Sequence, residues 1–225
     1  QRIRKRCSIV TDLDTIFFNV TPRPEDTDFW AAKKRKAAGS QKAGAARKTA
    51  LDAFVTGNAW LAAFYADHTF EVDFVKSGNQ EAVVRIINNV YKSKETIDDS
   101  IDALRSGHLH QSGLRTLMMA EQEGKGWFAI QLGEQLDHQV VIPVYIQQAI
   151  LFAHGGFSGP LIARILQYRA NCRREADPSA SSSLDVFEVE LERFRQGNIT
   201  LSTLQMAAAS ALPSDAIHAF LAGIV

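Results

Sequence analysis

Residues 8–18 read SIVTDLDTIFF, and the fold turns on how this stretch is read. The run Arg6 to Thr11 (RCSIVT) is short and β-branched, the kind of segment buried in a parallel sheet. It runs straight into Asp12, at the strand end where the active-site groups of open α/β sheets collect. Asp14 follows one residue later, and two carboxylates on one edge repel unless a cation or another partner lies between them. The apolar Ile16, Phe17 and Phe18 come next, which makes burial without such a partner costly. In a strand-end Asp-x-Asp the intervening residue points away while the two carboxylates converge, an arrangement that grips a hard divalent ion such as Mg²⁺.

Outward from this point, NVTPRPEDTD (19–28) reads as a loop. Asp28 to Phe54 is Ala/Lys/Arg-rich and helix-prone, with interruptions expected at Gly39 and Gly44. In Ala59 to Phe74 a second strand is expected where Phe70, Val72 and Phe74 alternate with Glu71 and Asp73. From Asn79 on, the spacing is helical. Val83, Ile86, Ile87 and Val90 share one face, as do Ile97, Ile101 and Leu104, and then Phe128, Leu132 and Leu136. Pro143 opens a helix through Ile150, Gly155 and Gly156 close it, and Gly159-Pro160 begins the next. DPSASSS (177–183) reads as a disordered linker, and two or three amphipathic helices complete the chain.

At 225 residues and 46% hydrophobic content the chain can bury a substantial core. Its longest apolar runs, such as Ala149 to Ala153, fall far short of the roughly 20 residues needed to span a bilayer. The expected location is therefore cytoplasmic, with no membrane contact. Cys7 and Cys172 are too far apart in sequence to suggest a metal site or a disulfide framework. The chain opens on Gln1 and enters its first strand almost at once, which reads as the C-terminal part of a longer protein. Net charge is zero, yet residues 1–50 hold 12 Lys/Arg against 5 Asp/Glu. That asymmetry permits one end to bind a polyanion.

Thr11-Asp12-Leu13-Asp14 resembles the DxD motif of TOPRIM domains, in the TDLD form of the OLD (overcoming lysogenization defect) family of ATP-dependent nucleases. Three later stretches follow in the same order. HTFEVDF (68–74) is similar to the family's "tlE-x-x-L" segment, GKGWFAIQL (124–132) to "KG-x-FA-x-x-L", and VIPVYIQQAI (141–150) to "iP-x-Yi-x-x-ai". The resemblance covers residues 6–152 and leaves the C-terminal seventy unassigned.

The resemblance implies an α/β fold: a small parallel-sheet TOPRIM-type core with a helical insertion at 79–123, spanning 1–143, followed by a C-terminal helical region, 144–225. It implies a metal-dependent DNA endonuclease acting through two Mg²⁺ or Mn²⁺ ions. Asp12 and Asp14 would be the metal ligands, Lys125 would face the scissile phosphate, and Glu71 would be either a further acidic ligand or a group that supports the ligands from behind. Its partners would be DNA, an N-terminal ABC-type ATPase domain of the same full-length protein, and a second copy in a homodimer. TOPRIM sites also take a glutamate from an upstream "EG" turn, which no residue before Asp12 supplies; Glu123-Gly124 follows helix-like sequence and reads as coincidence. Either a preceding segment provides it or the site is defective.

Lys33, Lys34, Arg35 and Lys36, with Lys42, Arg47 and Lys48 beyond, read either as a solvated helix face or as contacts to DNA phosphates, which would be salt-dependent and blind to sequence. Lys125 could equally be a solvated lysine in a Gly-x-Gly turn. His108 and His110 read as a surface turn, and Tyr145 and Trp127 as core. Two rival readings stand. A haloacid-dehalogenase-type phosphatase also places DxD after a strand, but its pattern wants Gly where Thr15 stands and Thr or Val where Ile16 stands, and would recruit Lys76 and Asp98-Asp99. The other rival is a non-catalytic DNA-docking or dimerisation module.

Overall fold

A computed structural model describes residues 5–224 of the chain; the expectation drawn from Gln1 lies outside them. These residues form two compact units that divide between Leu136 and Asp137. The chain is mostly helical with one small parallel sheet, an α/β protein in the broad sense.

In the first unit β1 (Cys7–Asp12) is followed by α1 (Asp28–Val55) and β2 (Leu61–Ala66). The strands pair in parallel, with Cys7 opposite Leu61 and Asp12 opposite Ala66. Parallel strands need a long crossover, and α1 supplies it without interruption. Gly39 does not break it, and Gly44 has a packing role: it is buried where the helix lies against the Leu13 backbone. From Gly44 to Val55 the helix rises about 18 Å, close to the length of about 20 Å of a six-residue strand. The sixteen residues before Gly44 therefore extend past the C-terminal ends of the strands. β1 is less buried than its composition predicts: Val10 is 50% exposed, because among the described residues the sheet has only two strands.

The expected strand at Phe70–Phe74 is instead helix α2 (Phe70–Lys76), and the true strand lies just upstream. Glu71 through Val75 are all buried, so the alternation of polar and apolar residues there does not mark a half-exposed strand. Then follow α3 (Gln80–Val84), α4 (Ile87–Val90), α5 (Lys94–Arg105), α6 (Leu109–Glu123) and α7 (Lys125–Gly133). Val72, Val75, Val83, Ile86, Ile87, Leu104, Met119 and Phe128 form the core between them; the helical spacing pointed to Val83, Ile86, Ile87, Leu104 and Phe128. Gly113 lets α6 press against Val72 and Phe17. Leu136 and Trp127 are exceptions, each about half exposed and outside the core.

The second unit comprises α8 (Val144–His154), α9 (Gly159–Ala176), α10 (Ser181–Arg195), α11 (Leu201–Ala211) and α12 (Ala216–Ala222). Residues 177–183 are ordered rather than a disordered linker. The Asp177 side chain accepts a hydrogen bond from Ser179 N (3.0 Å), a 3-10 turn spans Pro178–Ala180, and α10 begins at Ser181. Leu166, Leu184, Phe187, Leu191, Leu204, Ile217 and Leu221 close this unit's core. Tyr145 is only partly buried. Among the described residues no helix is long and apolar enough to cross a membrane.

Candidate functional site

The pairing of β1 and β2 continues past the strands. Leu13 N donates to Ala66 O (2.9 Å) and Thr15 N to Asp67 O (2.8 Å). Asp14, between these anchors, has φ 53°, the left-handed region that Asp tolerates better than most residues. The two flanking hydrogen bonds and this backbone turn hold Asp12 and Asp14 on one rim.

A cation does lie between the two carboxylates, and it is an arginine. Arg47 Nη2 donates to the Asp12 main-chain carbonyl at 2.7 Å and meets Asp12 Oδ1 at 3.1 Å and Asp14 Oδ2 at 3.4 Å. All three side chains are partly exposed, so solvent screens the attraction. Arg47 Nε is buried with no hydrogen-bond partner. Two carboxylate oxygens that reach one nitrogen are aimed at a common point. That arrangement fits Mg²⁺, which commonly binds through one or two carboxylates with waters and substrate phosphate completing its shell.

Asp14 also lines a cleft of about 120 Å³ together with Lys33, Lys36, Thr69, Glu121 and Lys125. Lys125 is the first residue of α7, where Gly124 at φ 83° turns the chain out of α6. Its ammonium is half exposed and has one loose partner, Glu71 Oε2 at 3.4 Å. Glu71 itself is buried on α2. Among the described residues Asp12, Asp14 and Glu71 do not form a ligand set. Among the described residues no group of three His, Cys, Asp or Glu is gathered closely enough to hold a metal ion. The phosphatase pattern's acidic cluster is not built either, with Lys76 paired to Asp67 at 2.6 Å and Asp98 and Asp99 exposed on α5.

The basic run on the projecting half of α1 divides by face. Lys33 meets Glu121 at 2.7 Å and Lys36 meets it at 3.4 Å, both beside the cleft. Burial pushes the Glu121 carboxyl up, but the Lys33 hydrogen bond and the attraction of both lysines outweigh it and hold the group below its ordinary value. Lys34 points elsewhere: it is buried, bonded to Thr21 O (2.9 Å) and to both Asp26 oxygens (2.7 Å), and is no candidate for DNA contact. Its hydrogen bond to Asp26 lowers that carboxyl's pKa. Arg35 is exposed and outside the cleft lining.

Behind the rim, His68 Nδ1 lies 2.7 Å from Thr15 O, its ring stands edge-on to Phe17, and its main-chain N–H donates to Asp73 Oδ2 (3.2 Å). Burial raises the Asp73 pKa against these contacts. These groups brace the Asp14–Phe17 turn from below. His108 and His110 are exposed at the start of α6 with their rings stacked 5.6 Å apart.

Sequence reading missed the two residues that organise this site. Arg47 appeared only as one of several basic residues on α1, and Glu121 did not stand out. Each meets its partners across 33 to 88 positions of chain, which no local spacing signals. No model of a known protein family matches the chain, nor does any curated protein or solved structure.

Proposed function

We propose that this chain is the TOPRIM-type catalytic part of a divalent-metal-dependent DNA endonuclease of the OLD kind. The observation that carries the reading is the convergence of Asp12 and Asp14 on one cation position at the edge of a lysine-lined cleft. A Mg²⁺ or Mn²⁺ ion held by these two carboxylates would polarise the phosphodiester and make its bound water a better nucleophile.

The chain's own groups do the rest. Lys125, restrained only by one 3.4 Å contact, is free to reach a phosphoryl oxygen and offset the negative charge that grows there. Lys36, whose side chain is 74% exposed, attracts the DNA backbone, with Glu121 as its counter-charge when no DNA is bound, while Lys33, only 9% exposed, stays on Glu121. Ile16, Phe17, Phe18 and Leu117 give the cleft an apolar wall, which strengthens each of these attractions by excluding water. The ATPase domain and the homodimer partner belong to the same reading through the motif resemblance.

Nicking of supercoiled plasmid in Mg²⁺ or Mn²⁺, with the preceding segment included, tests the proposal. Wild type should nick. Asp14→Asn and Lys125→Ala should each lose on the order of 10²-fold or more in rate while keeping the wild-type melting temperature. Equal cutting by wild type and variants would refute the assignment. DNA binding that survives Asp12→Asn and Asp14→Asn, with no nicking by any version, would favour the non-catalytic docking module instead.

A further inference from the structure

We propose that Arg47 is an exchangeable counter-ion of the acidic pair: a divalent ion displaces its guanidinium from Asp12 and Asp14, and the released guanidinium then binds the phosphate. This rests on the reading of Asp12 and Asp14 as metal ligands and adds the step by which the ion enters.

Charge, fit and anchoring support it. Asp12 and Asp14 carry two negative charges, and Arg47 offsets one, so the assembled rim keeps a residual negative charge that attracts a divalent cation. A divalent ion neutralises the pair fully. The guanidinium then stands beside the site with its charge uncompensated, where a singly charged phosphodiester is the complementary ligand and the planar fork suits phosphate oxygens. The hold of the carboxylates on Arg47 is the weaker part of its anchoring: both salt bridges run through Nη2, at 3.1 and 3.4 Å, while the same nitrogen donates to the Asp12 main-chain carbonyl at 2.7 Å, and the buried Nε has no hydrogen-bond partner. The backbone beneath it does not need to move, because Gly44, one turn away on α1, is locked against Leu13. Exchange therefore requires only side-chain rotation.

Mn²⁺ titration followed by the electron paramagnetic resonance signal of the free ion tests this without reference to cleavage, using wild type, Arg47→Gln, Arg47→Lys and the Asp12→Asn/Asp14→Asn double variant, each checked for its melting transition. Removing the competitor in Arg47→Gln should tighten Mn²⁺ binding about tenfold, equivalent to about 1.4 kcal/mol. Arg47→Lys, which keeps a charge but loses the fork, should fall between, and the double variant should lose the site. Binding by wild type with Arg47→Gln equal or weaker overturns the exchange and leaves the nuclease reading standing. Wild type binding no better than the double variant overturns both.

Discussion

Gly44 of α1 lies so close to Leu13 that a Cβ on it would stand 2.0 Å from the Leu13 carbonyl oxygen. The obstacle is backbone, which cannot swing aside as a flexible side chain could. This single approach sets the height of α1 against the strand ends and, one turn later, hangs Arg47 over Asp12.

Gly44→Ala should therefore destabilise the first unit by about 1–3 kcal/mol, the usual cost of overpacking, although alanine is the better helix former. Gly39, in the same helix, has nothing within 4 Å of the equivalent position, so Gly39→Ala should stabilise by about 0.5–1 kcal/mol. Urea denaturation of the two variants should shift in opposite directions. Parallel shifts would mean that the close approach does not constrain the helix.

Glu121 holds Lys33 and Lys36 at once. Glu121→Gln should free Lys36, whose side chain is 74% exposed, raising affinity for double-stranded DNA of arbitrary sequence by about threefold at low salt. Because Lys36 exchanges Glu121 for phosphate in the wild-type complex as well, the dependence of log K on log salt should stay unchanged in Glu121→Gln and become shallower by about one in Lys36→Gln. Fluorescence anisotropy over a salt series measures both quantities, and a wild-type slope in Lys36→Gln would place that lysine away from DNA.

Tyr65 ties β2 to α1 through a 2.7 Å hydrogen bond from its hydroxyl to Asp52. Burial, then that bond, pushes its pKa from the ordinary 10.0 up to about 12. A raised tyrosine pKa favours the protonated form in the folded state, so its contribution to stability is complete below pH 10.0 and is lost as pH rises toward about 12. Ultraviolet titration of tyrosinate should show this late-titrating group, and Asp52→Asn should bring it down. A titration curve identical in the two proteins would contradict the linkage.

What could be read from the sequence followed from how far apart the interacting residues lie. The β-branched run before Asp12 and the helical face at Ile97–Leu104 are local patterns that the chain realises, and the Val83–Val90 face is buried as expected but divided between two short helices, α3 and α4. FEVDF misled because its period-two alternation describes a helix in which Glu71 to Phe74 are all buried, polar and apolar alike, while Phe70 is exposed. LAAFYA, the real strand, is half alanine and shows no strong strand preference. Gly44 looked like a helix breaker because its value is tertiary, a missing side chain that admits Leu13. At the site, the two aspartates declared their need for a cation, but the identity of the one that answers depends on a fold that brings position 47 to position 12. Lys34 and Lys36, two residues apart, received one interpretation from the sequence and have opposite fates, one sealed onto Asp26 and one beside the cleft.

The left-handed backbone at Asp14 also decides how its mutants must be interpreted. Alanine there would remove a charge and strain the main chain together, so lost activity could reflect a distorted turn as much as an absent carboxylate. Asparagine accepts that conformation readily, and glycine does so at no steric cost. Comparing the two separates geometry from charge: glycine deletes the side chain, asparagine swaps its anion for an amide, and a defect common to both belongs to the lost negative charge.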